Sequence, residues 1–93
     1  MADYLVRVEL FGAGGDEYQA LHEAMSRLGF SRTMVFDQGE VMALPIGTYI
    51  GSSSHSTSTV RDLVKQVANP QSTKQAAIFV CRYDDWSAFL YRD

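Results

Sequence analysis

From Asp3 to Phe11 apolar and polar positions alternate. Tyr4, Val6, Val8 and Leu10 fall on one face, and Leu5, Arg7, Glu9 and Phe11 on the other. Period two, carried by β-branched and aromatic residues, predicts a strand with the uniformly apolar set turned to the core. The glycine-rich run from Gly12 to Gly15 breaks it. Asp16, with Gln19 three positions on, is a helix-start signature close to a capping box. Leu21, Ala24, Met25 and Leu28 then recur at i, i+3, i+4 and i+7, and Gly29 stands where a left-handed C-terminal cap would go. The spacing predicts a helix over about 16–28.

Phe30–Phe36 reads as a second strand, Asp37-Gln-Gly39 as a turn, and Val41–Leu44 as the other arm of a hairpin. Pro45 and Gly47 interrupt that arm, and Thr48–Ile50 extend it past a bulge or form an edge segment. Seven Ser or Thr residues between Gly51 and Thr59 make a polar loop. Ser56, Thr57 and Ser58 are the candidate N-caps of a second helix, marked by Val60, Leu63, Val64 and Val67 and closed by Asn69-Pro70. Ala76–Tyr83 is the fourth strand. Trp86–Tyr91 reads as one or two helical turns in a short tail over 84–93. The order strand, helix, strand, strand, helix, strand over one domain, 1–93, predicts an α+β sandwich. Its form is ferredoxin-like βαββαβ: one antiparallel four-stranded sheet with both helices on one face.

Eight Lys and Arg stand against eleven Asp and Glu, for a net charge of −3. That excludes a strongly basic nucleic-acid clamp. A single cysteine, Cys81, excludes an internal disulfide and a thiolate zinc cluster. No apolar run approaches the roughly 20 residues of a membrane span, so the expectation is a cytoplasmic protein with no membrane partner. The charge is uneven. Residues 1–50 hold three cations against seven anions, and residues 51–93 five against four. An RNA site is therefore expected toward the second half.

Chemistry-bearing residues are sparse. Gly12–Glu17 occupies the place of a phosphate-binding loop, but it lacks a Lys-Ser/Thr ending. Asp16 and Glu17 there favour the helix and repel phosphate. His22 lies beside the apolar stripe, one turn from Tyr18; it is a candidate acid or base at the edge of a cleft, or a half-exposed surface residue. His55 reads as a solvated loop residue, and Cys81 as a small hydrophobe in a strand. Glu9 is the one candidate metal carboxylate, with a divalent ion such as Mg²⁺ in view and a second copy of the chain as the source of further ligands. Arg7 and Arg82, with Phe11, Tyr83 and Trp86, put cations beside aromatics. RNA-binding sheets use such mixtures.

Three stretches carry a family likeness: Tyr-Leu-Val-Arg-Val-Glu at 4–9; Leu21, Met25 and Phe30-Ser31; and Tyr49 to Val64. The Asp84-Asp85-aromatic tail fits as well. With these the chain resembles the GhoS-like antitoxin endoribonucleases of bacterial type V toxin–antitoxin systems, from Tyr4 to about Arg92. The resemblance implies a ferredoxin-like domain similar to the small endonuclease of CRISPR adaptation modules, with cleavage of a toxin messenger RNA as its activity. It places the family's basic first-helix residue on His22, here histidine in place of arginine. It also places an aromatic of the third strand on Tyr49 and the strand-one carboxylate on Glu9. On that reading His22 and Arg32 are catalytic, Tyr49 stacks a base, and Arg7 and Arg82 hold the RNA backbone. No cofactor is required when the 2′-hydroxyl is the nucleophile. The other reading of the same residues is a non-catalytic RNA- or protein-binding module, as a homodimer.

Overall fold

A computed structural model describes residues 1–93. In chain order the elements are strand β1 (Ala2–Glu9), helix α1 (Gly15–Arg27) and strands β2 (Thr33–Val35), β3 (Val41–Ala43) and β4 (Thr48–Ser53). Helix α2 (Thr57–Ala68), a short 3₁₀ turn over Asn69–Gln71, β5 (Ala77–Arg82) and β6 (Tyr91–Arg92) follow. The class is α+β.

Local chemistry sets the helices. The α1 N-cap is Gly14, whose N–H donates to Glu17 Oε1 at 2.7 Å, so the acidic return bond forms two residues earlier than the Asp16–Gln19 reading placed it. Gly29, at φ +92°, closes α1: its N–H donates to the Ser26 carbonyl, and the Phe30 N–H donates to that of Met25. Ser56 caps α2, its Oγ accepting from the Thr59 N–H at 3.2 Å.

β1 is the central strand of a three-stranded antiparallel sheet ordered β4-β1-β5. Its apolar face behaves as its alternation requires. Tyr4, Val6, Val8 and Leu10 are buried in one cluster with Leu21 and Met25 of α1, and with Val60, Val64 and Ala68 of α2. Both helices therefore cover the same side of the sheet. Leu5, Arg7 and Glu9 face the uncovered side.

The single four-stranded sheet is not formed. A second three-stranded antiparallel sheet, ordered β2-β3-β6, stands beside the first. The predicted strand Phe30–Phe36 divides its pairing. Ser31 exchanges two hydrogen bonds with Ile50 of β4, at 2.8 and 2.9 Å, while Thr33–Val35 pair with β3. The chain cannot run straight from β3 into β4 either. Pro45 has no N–H to give a ladder, and the Thr48 N–H donates back to the Pro45 carbonyl at 2.9 Å in a turn with Gly47 at φ +81°. The tail is extended rather than helical: β6 pairs with the free edge of β3, and the Asp93 N–H donates to Val41 O at 3.1 Å.

Candidate functional site

Two of the predicted site residues meet from separate elements, and the charge of a third, Arg32, acts on both. Helix periodicity puts His22 next to buried Leu21 at the rim of the α1 core face, half-buried. Tyr49 lies opposite Val6 in the register of β4 against β1, so its ring enters the core, where its exposure is 0%. Its hydroxyl reaches the rim and stands 2.6 Å from His22 Nδ1, with the rings 5.7 Å apart and tilted by 56°. Arg32, in the segment entering β2, is held by Asp93 Oδ1 at 3.2 Å, and its positive charge is felt by both groups.

This environment fixes the protonation states. Burial, aided by the Arg32 charge, holds the His22 pKa below its usual 6.5. Burial also pushes the Tyr49 hydroxyl up to about 12, with a contribution from Tyr18, while Arg32 pulls weakly the other way. At neutral pH the pair is therefore a neutral imidazole against a neutral phenol. If Tyr49 donates, Nδ1 accepts and Nε2 carries the ring proton. If Nδ1 donates, Tyr49 accepts and Nε2 presents a free lone pair. In the second arrangement Nε2 can take a proton, and the cation formed keeps its Nδ1–H on the tyrosine oxygen. Arg32 adds a cation suited to an anionic phosphate.

The remaining candidates lie elsewhere. Residues directly opposite each other in a sheet share a face. Arg7 is opposite Phe79, and Arg82 is opposite Tyr4. Arg7 thus lies on the uncovered face, with its guanidinium donating to Thr48 Oγ1 at 3.1 Å. Arg82 lies at the helix-side end, 5.9 Å from the Tyr4 ring centre. The two arginines are not brought together. Tyr49, enclosed on all sides, has no ring face open to a base, so the stacking role expected of it does not fit its burial. Its hydroxyl is what it offers. Glu9 is on the uncovered face, and within the chain no group of three or more His, Cys, Asp or Glu side chains is disposed to hold a metal ion. The side chain of His55 is exposed; its backbone carbonyl accepts from the Tyr4 hydroxyl. Cys81 is half-buried and free.

Two residues beside these groups escaped the sequence reading. Asp93 holds Arg32 only because β6 folds back on β3, a long-range pairing with no local signal. Phe79, on the uncovered face beside Arg7, is 64% exposed. The alternation of β5 contained that information once its register with β1 was known.

No helix is long and apolar enough to cross a membrane. The family model described as endoribonuclease GhoS matches residues 1–88 of the 93. No curated protein matches the chain.

Proposed function

The chain belongs to the endoribonuclease GhoS family, and from that premise we propose that it cleaves RNA at the His22–Tyr49–Arg32 site by internal transesterification. The observation that carries the proposal is the 2.6 Å contact between Tyr49 Oη and His22 Nδ1. It orients a neutral imidazole with Nε2 directed away from the tyrosine. His22 Nε2 takes the proton of a ribose 2′-hydroxyl. The 2′ oxygen then bonds to the adjacent phosphorus as the bond from phosphorus to the 5′ oxygen breaks. The departing oxygen takes a proton from water. Tyr49 accepts the Nδ1–H of the imidazolium, and Arg32 offsets the charge that builds on the phosphoryl oxygens. Binding RNA there exchanges the Asp93 carboxylate on Arg32 for a phosphate.

The cellular role we infer is that of an antitoxin whose substrate is the messenger RNA of a small hydrophobic toxin. The strand order β5-β1-β4, continued by Ser31, with both helices on one face, supports a ferredoxin-like reading of the main sheet.

The test is cleavage of an end-labelled RNA and of the same RNA with one 2′-deoxy residue at the cut, both in EDTA. The expected products carry a 2′,3′-cyclic phosphate and a 5′-hydroxyl, and the deoxy substitution abolishes that cut. Cleavage of the deoxy site, or products with 5′-phosphate ends, overturns the mechanism and points to attack by water.

A further inference from the structure

The uncovered face of the main sheet has one place where a ring, an uncompensated cation and a carboxylate meet. Phe79 of β5 projects there, and its opposite neighbour on β1 is Arg7. Arg7 makes no ion pair with any carboxylate; its recorded partner is the Thr48 hydroxyl. Glu9 lies two residues further along the same strand and face, about 6.6 Å away at strand rise. Arg7, Glu9, Ala77 and Phe79 line a shallow hollow of about 210 Å³. Beyond its Glu9 end, the Lys74 ammonium sits 4.3 Å from the Phe11 ring centre, again with no carboxylate partner.

The fold of one chain leaves most of the Phe79 ring unburied, 64% exposed in mid-strand. Beside a cation free of any carboxylate, it matches the needs of an unpaired nucleobase: a face to stack on and a positive charge for the neighbouring phosphate. We propose that this hollow binds one unpaired base of single-stranded RNA. The base stacks on Phe79, Arg7 holds the adjacent phosphate, and the Glu9 carboxylate accepts a hydrogen bond from an N–H on the base edge. The proposal rests on the RNA-directed reading above, but it concerns the opposite side of the sheet from His22 and needs no cleavage. It gives Glu9 a role in base recognition. The Arg7 link to Thr48, whose chain neighbour is Tyr49, leads from this hollow toward the His22 site.

The test is fluorescence anisotropy with a short fluorescein-labelled single-stranded RNA, in the His22→Ala background so that the probe stays intact. Phe79→Ala is expected to raise Kd about fivefold or more, and Phe79→Trp to restore it. Arg7→Ala is expected to weaken binding and reduce the slope of log K against log salt by about 0.7. Ile46→Ser, a control at another exposed apolar residue, leaves Kd unchanged. Unchanged affinity in Phe79→Ala, or no binding of the probe by the parent protein, overturns the proposal. Sedimentation of the same variants separates the rival occupant: a dimer lost in Phe79→Ala with RNA affinity intact assigns this face to a second copy of the chain. Absence of cleavage by the wild type overturns the catalytic reading alone, because the anisotropy measurement does not depend on it.

Discussion

Replacing Tyr49 with Phe removes one buried hydroxyl and leaves the ring that fills the core. At pH 8 the loss is that of the contact with His22, about 0.5–1.5 kcal/mol for a single hydrogen bond. The pH dependence is more informative. The folded-state pKa of Tyr49 is raised from 10.0 to about 12. A raised folded pKa gives stability that is fully present below the unfolded pKa and is lost as pH rises through the folded one. At pH 11 the unfolded phenol is about tenfold more ionised than the folded one, which removes about 1.4 kcal/mol relative to pH 8. Tyr49→Phe cannot lose this contribution. The advantage of wild type over the variant, about 1 kcal/mol at pH 8, therefore vanishes and reverses by about 0.4 kcal/mol by pH 11. Urea denaturation of both proteins at the two pH values measures it, and the remaining titrating groups cancel in the difference. A gap that stays constant across this range would refute the enclosed, neutral Tyr49 on which the site depends.

On the proposed mechanism cleavage is flat near pH 7 and falls on the acid side with a midpoint below 6.5, because the His22 pKa is lowered and the proposal makes its neutral form the base. Arg32→Gln should move that midpoint upward, which a pH–rate profile of the variant checks. Gly47→Ala should cost more than about 2 kcal/mol, since its new Cβ would lie 2.3 Å from the Val8 carbonyl oxygen at a positive φ. Gly29→Ala meets open space and should cost only the conformational strain of about 1–2 kcal/mol, a contrast that thermal or urea melts resolve. Asp93→Asn weakens a partly exposed ion pair, so stability should change by less than about 1 kcal/mol. The KM for RNA should fall in that variant as Arg32 becomes free for phosphate.

Much of the frame was legible because it is local. The alternation of β1, the heptad-like spacing in both helices, Gly29 and Ser56 each act within a few residues of where they stand. The division into two sheets was not legible, because it depends on which edges Phe30–Phe36 and Tyr91–Arg92 find. An unpaired edge on β3 captured the tail in place of the helical turns expected over Trp86–Tyr91. The site was partly legible. Resemblance indicated His22 and Tyr49, but only the register of β4 against β1 turns the Tyr49 ring inward. The same logic separates Arg7 from Arg82: a shift of one residue exchanges the faces of a strand, and sequence spacing alone does not set that register.

Proton transfer by His22 is tested by the initial rate of RNA cleavage by wild type and His22→Ala, each with Mg²⁺ and with EDTA. A loss of at least about 100-fold is expected in His22→Ala, with equal wild-type rates in the two buffers. Circular dichroism should show both proteins folded. Equal rates for wild type and His22→Ala would contradict proton transfer by His22, as would wild-type cleavage that vanishes in EDTA. No cleavage by either protein would leave an RNA- or protein-binding module in place of the nuclease.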